Sequence, residues 1–287
     1  MASAPAGTDF KIFAFCARAK NFTHEEYCYG HSSFHVSIGR RLIGVNGYLF
    51  NGRMDDRRVE DLVPELASEL AIAEPHGVDD MWDGLVEWWS SSHEAYFKAI
   101  GTPIPDVPTK EGMSTLDPLA ETTRDARNLF YGVPFQPAVR ETVVVEVTRP
   151  EREIFKVLQM GRRAAGMPLE EFEKGWVDSC SKAYAGVPGV RGCTVNMRDD
   201  SVETLRGFFA DWQVEYAESG PGRAERERFY SLWDGAALIY FDDARSFAEF
   251  QRSQAGAELR ERERGLFDSM WLRQVRETIG RMPERID

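Results

Sequence analysis

Short apolar runs alternate with amphipathic stretches along the chain, and the order of these segments occurs twice. Phe10 to Cys16 (Phe-Lys-Ile-Phe-Ala-Phe-Cys) is aromatic and partly alternating, which predicts a strand, and Phe155 to Met160 repeats it. After a polar turn, Thr23 stands as a helix N-cap ahead of Glu25 and Glu26, and Pro168 leads Glu170 and Glu171. Each start predicts a helix of about four turns. Gly44 and Gly189 stop those helices or turn the chain, and segments 45–51 and 190–196 predict second strands. Within them Gly47 and Gly192 mark a bend or a close backbone approach. An amphipathic helix is predicted next in each copy, from Val59, Leu62, Val63, Leu66 and Leu70, and from Val202, Leu205, Phe208, Phe209 and Trp212. Third strands follow at 85–89 and 236–241, second main helices at 95–100 and 246–251, and last strands at 139–147 and 275–279.

The duplication extends to individual residues. Positions 10–51 align without a gap on 155–196 at a constant offset of 145, with 11 of 42 identical. The match resumes at Trp82-Asp83-Gly84 and Trp233-Asp234-Gly235, and again at Val139-Arg-Glu-Thr-Val143 and Val275-Arg-Glu-Thr-Ile279. Strand, helix, strand, strand, helix, strand is the ferredoxin-like (split βαβ) pattern. The expected fold class is therefore α+β, with two tandem ferredoxin-like repeats over 8–147 and 154–284 packed sheet to sheet as a pseudo-dimeric α+β barrel. Residues 148–153 link the halves, and Pro103 to Asp125, rich in Pro, Thr and Asp, is a candidate lid. The internal pseudo-dimer leaves association into a homodimer open.

Composition narrows the function classes. With 43% apolar and 29% charged residues the chain reads as an ordinary globular protein, and no apolar run reaches the length of a membrane span. A net charge of −12 disfavours phosphate backbones and anionic lipid, so neither nucleic acid nor membrane is an expected partner. The N-terminal Met-Ala-Ser-Ala-Pro-Ala-Gly lacks a basic region followed by an apolar one, and the four scattered cysteines form no Cys-x-x-Cys. Both features predict a cytoplasmic protein with free thiols and no structural zinc.

The phrase from Phe22 to His35, Phe-Thr-His-Glu-Glu-Tyr-Cys-Tyr-Gly-His-Ser-Ser-Phe-His, resembles the entry helix of the EthD family of dimeric α+β barrel proteins. There an aromatic after paired acids is followed eight residues later by a histidine, a spacing that Tyr27 and His35 match. Asp83-Gly84 before a strand ending in aromatics, then Ser91-Ser-His-Glu-Ala-Tyr96, is similar to the family's second half. The resemblance implies the barrel fold. It leaves function open, because related barrels include muconolactone isomerases, polyketide cyclases and dehydratases, quinone-forming monooxygenases and haem-handling enzymes.

His35 near the end of the first helix and Tyr48 on the second strand are expected to line one cleft. The resemblance to methylmuconolactone methylisomerase-like members implies a His/Tyr acid–base pair, in which an imidazole moves a proton and a phenol donates to a developing oxyanion. The alternative is a buried histidine bonded to backbone beside a core tyrosine. His31, one turn earlier, would contact substrate or tune His35; a metal would need a third ligand that the spacing does not supply. Tyr29, Phe34, Phe50, Trp88 and Trp89 would wall the cleft for a planar substrate, or simply fill the core, and Asn46 would bind a carbonyl or hydroxyl. In the second repeat His31, His35 and Tyr48 become Trp176, Cys180 and Cys193, so the acid–base site is expected in the first repeat alone.

No phosphate loop, nicotinamide or flavin fingerprint, or nucleophile elbow occurs, so no cofactor is expected. The expected function is a cofactor-independent lyase, dehydratase or isomerase acting on a small aromatic, lactone or polyketide-like substrate. The alternatives are a cofactor-free monooxygenase of phenols and a non-catalytic small-molecule binding protein.

Overall fold

The computed structural model describes residues 10–42, 44–56, 58–96, 129–130, 135–150, 152–202, 204, 215–216 and 218–282. Eight strands close into one barrel: β1 (Phe10–Cys16), β2 (Gly47–Arg53), β3 (Gly84–Ser90), β4 (Ala138–Val145), β5 (Phe155–Arg163), β6 (Val190–Asp199), β7 (Gly235–Phe241) and β8 (Phe267–Arg281). Their order around the barrel is β1-β3-β2-β8-β5-β7-β6-β4. Each half thus forms a four-stranded antiparallel sheet of the split βαβ type. The halves join at their edges, where β2 pairs with β8 and β4 pairs with β6. The two sheets therefore face one another, as expected, and their edge strands also hydrogen-bond, which leaves no open edge.

Side chains alternate across the sheets and build three cores. Phe13, Phe15, Leu85, Leu158, Leu238 and Trp271 point into the barrel. Ile12, Ala14, Tyr48, Phe50, Val86 and Trp88 point outward beneath the helices of the first half, and Val157, Val195, Ile239 and Phe241 do the same in the second.

The first helices occupy twin positions residue for residue, yet they differ in register. In the second half α3 (Leu169–Tyr184) is one uninterrupted helix led by Pro168. In the first half the same length divides into α1 (His24–Gly30), a π turn (His31–His35) and α2 (Val36–Gly39). Thr23 and Glu26 close a reciprocal capping box on α1. Within the π turn the Val36 N–H reaches back five residues to the His31 carbonyl. Gly44 (φ 83°) and Gly189 (φ 82°) make the same left-handed turn after their helices, a conformation that favours glycine.

Two expectations change. The helix predicted over Val59 to Leu70 is instead a pair of 3₁₀ turns, Val59–Leu62 and Pro64–Glu69. Pro64 lacks the N–H that a continuous helix would need, although Val59, Val63 and Leu70 are buried as the periodicity required. The last strand of the second repeat is far longer than predicted, because Phe267–Arg281 pairs with both β5 and β2. Helices α4 (Gly220–Ser231), α5 (Ala244–Arg252) and α6 (Gln254–Leu266) complete the second half. The candidate lid at Pro103–Asp125, the predicted helix residues 205–212 and the end of the helix predicted at 95–100 lie outside the described residues. No helix among the described residues is long and apolar enough to cross a membrane.

Candidate functional site

The first half holds a polar constellation inside an otherwise apolar layer between sheet and helix. Tyr27 and His31 are fully buried, and His35 and Tyr48 are nearly so. Burial holds the Tyr27 phenol well above its ordinary pKa, so the hydroxyl keeps its proton, and Tyr27 Oη and His31 Nδ1 are hydrogen-bonded at 2.9 Å. In the neutral ring the proton sits on Nε2 when Tyr27 donates and on Nδ1 when it accepts. His31 Nε2 has no hydrogen-bond partner. Burial, reinforced by His35, depresses the His31 pKa well below the ordinary value and keeps the ring neutral. The ring stacks on Phe50 at 3.8 Å and meets His35 edge-on at 4.8 Å, while Phe130 closes on His35 at 5.2 Å. A buried neutral imidazole with an unused ring nitrogen is costly to keep unless something pairs with it.

The sequence-predicted residues fall into distinct places. His31, His35, Tyr48, Phe50 and Trp88 share this layer, with Tyr48 and Trp88 tilted together at 6.0 Å. Tyr48 packs tightly against Gly39 and Gly280. Tyr29 and Phe34 do not wall a cleft: they are 74% and 57% exposed on the outer side of the helical segment. Asn46 lies one residue before β2, with its backbone N–H on the Trp89 carbonyl at 2.8 Å, so it is not a strand partner of Tyr48. Trp89 turns away from the layer into the barrel, beneath the Lys11 ammonium. In the second half Trp176, Cys180 and Cys193 are packed into the apolar core, and both thiols are free. Among the described residues no three His, Cys, Asp or Glu side chains gather as a metal ligand set.

Two further clusters escaped the sequence reading. Inside the barrel Lys11 binds Glu87 at 2.8 Å and also Glu141, while Lys156 binds Glu87 and Glu277 at 2.7 Å each. Asn51 donates to Glu87 at 3.0 Å, and Arg149 clasps Glu277 with two hydrogen bonds. Burial alone would raise the Glu87 carboxyl, yet Lys11 and Lys156 together hold it at about 2. The second cluster surrounds the Trp-Asp-Gly turn. Asp83 accepts from the Arg18 backbone at 2.7 Å and from His24 Nδ1 at 2.8 Å, and it pairs with the Arg18 guanidinium. In the other half Asp234 holds Arg163 through backbone and side chain in the same way. A signal for both clusters was present: Lys11 and Lys156, Asn51 and Asn196, Glu141 and Glu277, and Arg18 and Arg163 are identities of the duplication.

No protein-family model matches the chain, and no curated protein matches it. Solved structures do. A putative monooxygenase of Fusobacterium nucleatum subsp. nucleatum superposes with a TM-score of 0.55 at 7% identity, covering 94% of this chain and 91% of its own. An "anthrone oxidase-like protein" superposes with a TM-score of 0.52 at 9% identity, covering 99% and 98%. At such identities the likeness concerns the fold. It agrees with the strand order in placing the chain in the dimeric α+β barrel architecture, here made by one polypeptide.

Proposed function

We propose that the chain is a cofactor-free enzyme that oxidises a small phenolic or anthrone-like substrate with O2, using the sheet–helix layer of its first half. The observation that carries this reading is the buried His31 imidazole, hydrogen-bonded to Tyr27 through Nδ1 and without a partner on Nε2. With Tyr27 assigned as the donor, Nε2–H suits the oxygen of a phenolate or enolate, because it stabilises developing negative charge in a dry site without first being desolvated. His35, edge-on to His31, is assigned as the base that removes the substrate proton, and Tyr48 as a second donor on the strand side. Deprotonation leaves an electron-rich anion that O2 oxidises: one oxygen atom enters the product as C=O at the deprotonated CH2 carbon, and the other leaves as water with the two hydrogens of that carbon. Phe50 and Trp88 supply flat apolar surface for a planar ring. The names borne by two proteins of the same fold support the oxidative direction.

The EthD-like spacing of Tyr27 and His35 supports a second reading, in which the same residues shuttle a proton in a lyase, dehydratase or isomerase. One experiment separates them. Wild type and His35→Ala are incubated with phenols, anthrones and lactones under air and under nitrogen, with O2 uptake and product mass recorded. The oxygenase reading requires turnover that stops under nitrogen and in His35→Ala. Turnover that persists under nitrogen selects proton-transfer chemistry, and a ligand bound but recovered unchanged defeats both.

A further inference from the structure

We propose that Cys28, His24 and Asp83 form a second site in the first half, one that adds covalently to α,β-unsaturated carbonyl compounds, with the Cys28 sulfur as nucleophile and His24 as proton donor. His24 and Cys28 lie one turn apart on α1, which brings Cys28 Sγ to 3.5 Å from His24 Nε2. His24 Nδ1 is held at 2.8 Å by Asp83, and its Nε2–H also meets the Arg53 carbonyl at 2.7 Å. Asp83 is fixed in turn by the Arg18 backbone at 2.7 Å. A nucleophile, an imidazole and a carboxylate that orients the imidazole are thus in series. Burial would lower the His24 pKa, but Asp83, Cys28 and the Arg53 carbonyl push it up to about 10, which agrees with both ring nitrogens acting as donors.

Two observations separate this array from an ordinary ion pair. Cys28 is partly exposed, whereas Cys16, Cys180 and Cys193 are buried. The duplication also provides a control: the Asp234 turn binds Arg163 just as Asp83 binds Arg18, yet Leu169 and Glu173 occupy the positions of His24 and Cys28. Anchoring the turn therefore needs neither the imidazole nor the thiol.

The step balances without an oxidant. The Cys28 thiol releases its proton to water, and the positive N–H beside it stabilises the charge that builds on sulfur. The sulfur pair forms a C–S bond at the β-carbon, and the carbon–carbon π pair moves toward the carbonyl as an enolate. His24 delivers its Nε2 proton to that enolate and regains one from solvent. The net change is addition of S–H across the double bond.

The test uses N-ethylmaleimide as the enone, with native protein, limiting reagent at pH 6 and peptide mass mapping. Cys28 should be labelled first, and about tenfold faster than in His24→Gln or His24→Leu. Equal rates in wild type and a folded His24 variant would overturn the proposal. Should both variants fail to fold, competition of wild type against N-acetylcysteine decides: Cys28 must win, and a thiol slower than the free competitor refutes the site. The readout involves no O2 and no His35, so its failure is distinct from failure of the oxidative reading.

Discussion

The two halves of this molecule share strands, turns and the span of the first helix, yet they treat the same layer differently. At twin positions the first half buries Tyr27, His31, His35 and Tyr48, and the second buries Phe172, Trp176, Cys180 and Cys193. The helix carrying the histidines departs into a π turn across His31–His35, while its twin runs straight through Trp176 and Cys180. The second half therefore shows what the layer needs in order to pack, and the first shows what has been added. Polar groups retained in a dry layer against their desolvation cost point to chemistry rather than folding.

Breaking the comparison at packed positions should give the largest effects. Trp176 fills its layer with no exposed surface, so Trp176→Ala should cost about 3–5 kcal/mol, read from denaturant midpoints. Inside the barrel Glu87 is a buried carboxylate shared by two lysines, and its twin position carries Leu238. Glu87→Leu leaves both ammonium groups short of a partner and should cost about 3–5 kcal/mol.

A smaller effect distinguishes two buried glutamates of opposite sign. Burial pushes the Glu263 carboxyl up to about 7 against the hydrogen bond from Gln159 and the charge of Arg260, whereas the lysines hold Glu87 at about 2. The raised group contributes stability that is complete below the unfolded value of roughly 4.3 and is lost as pH rises through about 7. Glu263→Gln should therefore remove that loss and gain on the order of 2–3 kcal/mol over wild type at pH 8, with little difference at pH 4. The depressed Glu87 works the other way: its contribution is present above roughly 4.3 and is lost as pH falls toward about 2. Thermal melts of both glutamine variants across pH check the two signs. The smallest shift is expected at His31, where His31→Phe removes the unpartnered Nε2 at similar shape but also takes away the Nδ1 partner of the buried Tyr27 hydroxyl. Stability should fall by about 1–2 kcal/mol while turnover disappears.

The architecture was legible because repetition doubled every weak signal. One Trp-Asp-Gly turn or one Gly44 means little, whereas the same marker recurring at matched spacing fixes strand order. Local failures have local causes: Pro64 breaks the helix that its apolar spacing suggested, and nothing in the sequence of β8 alone announced a strand shared by both halves. The histidines were visible through their difference from the twin, but the outward turn of Tyr29 and Phe34 was not, since a π turn shifts which residues face inward. The barrel interior was missed for the opposite reason. Lys11, Asn51 and Glu141 match their twins, but an identity on a strand does not by itself distinguish a buried charge network from an exposed face. Lysines and glutamates on strands ordinarily face water.

The central claim, that chemistry belongs to the first layer alone, is tested most directly by O2-coupled turnover of two variants side by side. His31→Ala/His35→Ala should lose activity at least about a hundredfold, while the twin change Cys180→Ala/Cys193→Ala should keep it within about twofold in folded protein. Activity that survives the first change, or vanishes with the second, would contradict the account.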